Sequence, residues 1–283
     1  MRFLRDNLTV TFKELCLKKY FFAFFVFLAA VFLFYLNAEA ATIRISAPKI
    51  ELELAPGESH SGEIIAENPT DEEARTKIYL EDWIYAPGGT GEKKFTPVGS
   101  TPLSGSKWIT FSPAEDAIKP FGRITARYTI TVPKDAKGAY YSALFFETLL
   151  GTTKDEEGVN VLVAARIGSL FFIEVKDTVE RKGEIPSIAI EPSHGNKPME
   201  IATTFKNTGN VDVTLGGNFL IMDSAGKVQG RGDLTKIYTL PGSTETGKSQ
   251  WVGRLPKGSY QLLLTYDLGK GNNLVEEKTI TVA

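Results

Sequence analysis

One local pattern occurs twice in this chain and limits what it can fold into. Val132-Pro133-Lys134-Asp135-Ala136-Lys137-Gly138-Ala139-Tyr140 leads into the apolar run Tyr141-Ser142-Ala143-Leu144-Phe145-Phe146. Leu255-Pro256-Lys257-Gly258-Ser259-Tyr260 leads in the same way into Gln261-Leu262-Leu263-Leu264-Thr265-Tyr266. Pro and Gly turn the chain, and Tyr opens the next apolar stretch. Upstream of each corner lies a second repeated element, an alternating stretch ending in an Asn-led turn. These are Glu63 to Asn68-Pro69-Thr70 and Ile201 to Asn207-Thr208-Gly209. Two such signals in the same order predict two related β-domains.

From Thr42 onward the periodicity is that of strands. Ile124-Thr125-Ala126-Arg127-Tyr128-Thr129-Ile130-Thr131-Val132 alternates strictly, as a strand with one buried face does. Lys77 to Tyr85 is a further strand, closed by the loop Ala86-Pro87-Gly88-Gly89-Thr90-Gly91. Ile43 and Ile45 have one parity and Ile50, Leu52 and Leu54 the other, with Pro48 between them. A one-residue change of phase flips every side chain, so the first strand must bulge or move to the other sheet there. Val159 to Ile167 alternates and continues through Leu170-Phe171-Phe172-Ile173-Glu174-Val175. A polar stretch follows, Asp223-Ser224-Ala225-Gly226-Lys227 marks a hairpin, and Leu274 to Val282 supplies a closing strand. The expected fold is all-β, with two immunoglobulin-like sandwiches over 42–176 and 184–283, a linker at 177–183, and an apolar signal or anchor helix within 1–40.

The N-terminus sets the compartment. Arg2, Arg5, Lys13, Lys18 and Lys19 precede the uncharged run 20–36, and Ala38-Glu39-Ala40 offers a cleavage site. The run is long for a signal core and short for a span, so both cleavage and retention as an anchor stay open. Either outcome places residues 41–283 in the periplasm or another extracytoplasmic space. Cys16, the single cysteine, precedes the run, so the exported part has no disulfide available and depends on core packing. Without 1–40 the chain keeps 27 basic and 31 acidic residues, a balance that argues against a basic surface for nucleic acid.

The order of pieces in 42–176 resembles the N-terminal domain of the PapD-like periplasmic chaperones of pilus assembly. The matching pieces are Ser46-Ala47-Pro48-Lys49-Ile50-Glu51-Leu52, then Lys77 to Tyr85, then Val161-Leu162-Val163-Ala164-Ala165-Arg166-Ile167-Gly168-Ser169-Leu170-Phe171-Phe172. The resemblance implies donor-strand chaperoning, in which the closing strand lends alternate apolar residues to an incomplete subunit. Carried over by position, the lending residues are Val159, Val161 and Val163, and the basic pair that holds the subunit's C-terminal carboxylate is Lys49 and Arg166. The implied partner is an envelope or surface-fibre subunit bound as an extended strand, with membrane contact only through 20–36 if uncleaved. Lys49 stands where the family usually has Arg, and the family's Arg-Pro ending is replaced by Ile173-Glu174. The second domain resembles generic bacterial surface modules of immunoglobulin type.

No catalytic apparatus is expected. His60 and His194 are far apart in loop-like sequence, which argues against a His-based metal site or nucleophile triad. No cofactor and no metal is implied. Arg231-Gly232-Asp233 spells an adhesion tripeptide, but three residues are a short match. The alternative to chaperoning is a membrane-anchored structural or adhesive envelope protein whose sandwiches are spacers or binding modules.

Overall fold

The computed structural model describes residues 43–154, 157–193 and 197–282. The apolar run 20–36, its cleavage site and His194 lie outside the described residues. Strands dominate, and the one helical element among the described residues is a 3-10 turn at Ser106–Trp108. The first ten strands are β1 (Arg44–Ile45), β2 (Lys49–Leu54), β3 (Ser59–Glu67), β4 (Ala74–Tyr85), β5 (Lys93–Thr96), β6 (Ile109–Ser112), β7 (Glu115–Ile118), β8 (Arg123–Thr131), β9 (Ala139–Lys154) and β10 (Asn160–Val175). They form two facing sheets, one ordered β1-β3-β8-β6 and the other β2-β10-β9-β4-β5, with β7 also on β4.

Eight further strands make a second sandwich. They are β11 (Gly183–Glu191), β12 (Met199–Asn207), β13 (Val213–Met222), β14 (Val228–Asp233), β15 (Ile237–Thr239), β16 (Thr244–Trp251), β17 (Gly258–Asp267) and β18 (Asn273–Val282). One sheet is β11-β12-β16 and the other β14-β13-β17-β18, with β15 on β13. Both repeated corners cross between facing sheets, from β8 to β9 and from β16 to β17. In the second, the Tyr260 hydroxyl donates to the Pro256 carbonyl at 2.8 Å and ties the corner to its own turn. In the first, Tyr140 instead packs on Trp108, with ring centroids 4.0 Å apart.

Alternation explains the cores. Along β8, Ile124, Ala126, Tyr128 and Ile130 are buried and meet Ile64 and Ala66 of β3 and Phe146, Phe171 and Ile173 of the other sheet. The phase slip at Pro48 is a change of sheet. β1 pairs antiparallel with β3, and β2 pairs parallel with β10, Lys49 opposite Leu170 and Leu54 opposite Val175. Ser169 fixes the crossing point by donating its hydroxyl to the Ala47 carbonyl.

A third cluster lies on the opposite face of the β10-β9-β4 sheet. Trp83, Tyr141, Phe145 and Phe172 are buried there together with Val211, which belongs to the second sandwich. The joint is also polar. The Tyr141 hydroxyl donates to Asp212 Oδ1 at 3.1 Å and accepts the Asp212 N–H at 2.6 Å. The stretch between β10 and β11 is no loose tether, because Thr178 Oγ accepts the Gly138 N–H and the Thr178 carbonyl accepts the Asn210 amide. The loop after β4 is held as well, Gly89 accepting the Tyr238 N–H and Gly88 donating to Glu245.

Candidate functional site

Backbone geometry defines the first part of the site. β10 pairs with β9 over its whole length, but β2 covers its other edge only from Leu170 to Val175. The Leu170 N–H points toward β2, where it meets the Pro48 carbonyl at 3.0 Å. Peptide groups alternate sides along a strand, so those of Gly168, Arg166, Ala164, Leu162 and Asn160 point the same way. No strand among the described residues lies on that side. The register irregularity near Val163 falls in β9, and the parity of β10 runs on to its start. The result is an open edge of nine residues, about 30 Å long.

Side chains make this edge unusual. Val159 is 57% exposed, Val161 42%, Leu162 69% and Val163 38%, and the neighbouring Leu149 is 60% exposed. From Val159 to Ala165 the chain carries no charge and no proline. Open edges are ordinarily blunted by such residues, because an apolar edge recruits another strand. Val161 and Val163 share the parity of Phe171, Ile173 and Val175, which fill the sandwich core, so they continue the inward-facing row beyond the part that the facing sheet covers. Val159 has the same parity and lies one residue ahead of the strand.

The second part is a cleft between the two sandwiches, a cavity of about 480 Å3. Lys49 of β2 lines it. Its Nζ sits 2.6 Å from Glu51 and 4.4 Å from the centre of the Phe172 ring. Arg181 and Lys270 also line the cleft, but both are bound to Glu174, Lys270 at 3.0 Å. Lys49 is half exposed and its partner Glu51 more so, which makes this pair exchangeable at little cost.

Arg166 is elsewhere. Four residues of strand separate it from Leu170, the register partner of Lys49, so the two backbones are about 13 Å apart. Its guanidinium reaches away from the open edge, across Phe145 at 4.4 Å, to Glu81 at 3.1 Å and the Tyr79 hydroxyl at 3.3 Å. Tyr79 in turn donates to Glu147 at 2.6 Å. The bond to Tyr79 and the Glu81 charge raise the Arg166 pKa further, while burial and Glu147 raise that of the Tyr79 hydroxyl. The structure therefore does not bring Lys49 and Arg166 together.

Besides the paired Arg181 and Lys270, the structure sets Lys93 of β5 near Lys49, a residue that periodicity alone did not single out. Lys93 Nζ lies 5.4 Å from the Trp83 ring and 5.3 Å from Tyr85, on the same aromatic cluster that Lys49 touches through Phe172. Burial first, and the Lys49 charge second, pull its pKa down. Asp212 faces the same region. Burial pushes its carboxyl up despite the Tyr141 hydrogen bond, and Tyr141 is itself pushed well up by burial. Lys49 and Asp212 converge from different sandwiches, which no spacing in the sequence encodes. Among the described residues no group of three His, Cys, Asp or Glu side chains is placed to hold a metal ion.

No protein-family model and no curated protein matches the chain. Among solved structures it is similar to the chaperone–tip adhesin complex of CFA/I fimbriae, at 16% identity over 84% of this chain and 99% of that one, with a TM-score of 0.45. It is also similar to the Class 5 fimbriae chaperone CfaA, at 15% identity over 84% and 99% of the two chains, with a TM-score of 0.44. A third similar structure is the CsuC–CsuE chaperone–tip adhesion subunit pre-assembly complex of Acinetobacter baumannii. There the identity is 15% over 84% and 98% of the chains, and the TM-score is 0.41.

Proposed function

We propose that this chain is an exported, non-catalytic chaperone for surface-fibre subunits, built from two immunoglobulin-like domains, 42–176 and 184–283, and acting in the periplasm by β-strand addition. The observation that carries the reading is the uncharged, apolar, open edge of β10. A subunit with a missing strand would satisfy its own backbone groups against those of Leu162, Ala164 and Arg166. Val159, Val161 and Val163 would fill its core in place of its own side chains, each fully buried one stabilising the complex by about 1.5–3 kcal/mol.

In this reading Lys49 exchanges Glu51 for the C-terminal carboxylate of the subunit and so sets the register of the added strand. Lys93 adds positive potential to the same aromatic floor. Arg166 holds the outer face of the sheet through Glu81 and leaves the carboxylate to Lys49.

Affinity capture of the tagged protein from its own envelope tests the reading, run beside a Val161→Asp/Val163→Asp variant. The expected result is a stoichiometric β-rich partner lost by the variant, with amide exchange at Leu162, Ala164 and Arg166 slowed in the complex. A partner that binds both forms equally, or that leaves those amides unprotected, would sink strand addition.

A further inference from the structure

The two sandwiches share one Asn-closed turn, built on the same four bonds. After β3, the Asn68 side chain accepts the Thr70 N–H and donates to the Glu72 carbonyl, and the Asn68 N–H donates to Gly122. After β12, the Asn207 side chain accepts the Gly209 N–H and donates to the Val211 carbonyl, and the Asn207 N–H donates to Ser243. Gly122 and Ser243 close their own turns onto Lys119 and Leu240. Lys119-Pro120-Phe121-Gly122 ahead of β8 is therefore the counterpart of Leu240-Pro241-Gly242-Ser243 ahead of β16.

What covers the two ends differs. In the second sandwich Val211 is fully buried and Leu240 packs with it on the Trp83 cluster, while the Asn210 carbonyl accepts the Ala139 N–H. That end is the docking face of one sandwich on another. In the first sandwich the counterpart end is bare among the described residues. Phe121 stands there 73% exposed.

Phe121 is also in the wrong backbone region for its type. Its φ is 53°, where the counterpart residue is Gly242 with a φ of 81°. A side chain in that region costs about 1–2 kcal/mol, and a ring left in water returns nothing. Beside it is an open cavity of about 350 Å3 lined by Arg44, Glu67, Pro69 and Arg123. Arg44, Glu67 and Arg123 are in register across β1, β3 and β8, so two cations flank one carboxylate. This end is also the one from which the open edge projects, because β1 leads into β2 and β2 runs parallel to β10.

We infer that this end is a second docking surface for the subunit whose strand lies on β10, with the folded body of that subunit seating an apolar hollow over Phe121 and acidic side chains against Arg44 and Arg123. The inference rests on the strand-addition reading. The matching end of the second sandwich docks through Val211 and Leu240, where the first has Glu72 and Lys119. What points to the same partner here is exposed Phe121 between two arginines, at the end from which the open edge projects.

The test uses the full chain in its own envelope, with a photoreactive benzoylphenylalanine in place of Phe121 or, separately, of Val161. Both positions are expected to cross-link the same protein. In addition, Phe121→Gly is expected to weaken its binding about tenfold, as loss of an aromatic anchor does. Phe121→Gly should melt at or above the wild-type temperature, because Gly suits the backbone. An adduct from Val161 with none from Phe121, or with a different protein at Phe121, overturns the second surface and leaves strand addition standing. No adduct from Val161 overturns both.

Discussion

At the scale of single residues, two buried asparagines do the same job in different sandwiches. Asn68 and Asn207 each close a turn by accepting an N–H two residues on and donating to a carbonyl four residues on. Replacing either by Ala leaves those backbone groups without their side-chain partner. Asn68→Ala and Asn207→Ala are each expected to cost about 1–3 kcal/mol, read from urea unfolding. Tyr260→Phe should cost about 1 kcal/mol by the same measurement, through the lost bond to Pro256. The asparagines were legible as turn residues because their chemistry is local. The bonds from Asn68 to Ile118 and Lys119 were not, since those carbonyls arrive from far along the chain.

At the scale of the element, β10 is two strands in one. From Leu170 to Val175 it is central, held between β2 and β9 with Phe171, Ile173 and Val175 in the core. From Asn160 to Gly168 it is an edge. Substitutions should divide the same way. Val161→Asp with Val163→Asp should leave the unfolding free energy within about 0.5 kcal/mol of wild type while abolishing partner capture. Phe171→Ala should lower stability by about 3–5 kcal/mol. Arg166 and Lys49 separate as well. Arg166→Ala removes the stack on Phe145 and the bond to Glu81, so its effect should appear in thermal melting, at about 1 kcal/mol. Lys49→Ala should leave melting unchanged and weaken capture. Alternation located this strand and its apolar row. It did not locate the partner of Arg166, because Glu81 is placed by the pairing of β4 with β9.

At the scale of the whole molecule, the joint between sandwiches carries a titratable group. Burial holds the Asp212 carboxyl above its ordinary value of 3.8. The folded chain thus keeps that proton to a higher pH than the unfolded chain does, and its stability falls as pH rises from about 4 through the raised value. Asp212→Asn keeps an oxygen for the Tyr141 hydroxyl and has no proton to lose. It is expected to flatten that slope in urea titrations between about pH 4 and pH 7, and to be at least as stable as wild type at the upper end. A variant whose slope matches wild type would show that Asp212 does not titrate in this range.

Period-two alternation, Pro and Gly at the corners and the parity change at Pro48 act over a few residues, through backbone sterics and the direction of side chains. On those grounds the sequence by itself determined an all-β chain, two repeats of one turn-and-corner pattern, and a strand that must leave its sheet near Pro48. Tertiary structure decided what depends on which strands meet. It left the first part of β10 uncovered, because β2 begins only at Lys49. It tied Arg166 to Glu81 across Phe145, brought Lys93 rather than Arg166 toward Lys49, and covered one Asn-turn end while baring its counterpart at Phe121. Each of these joins groups far apart in the chain, and pairing and packing, which no local period encodes, set their distances.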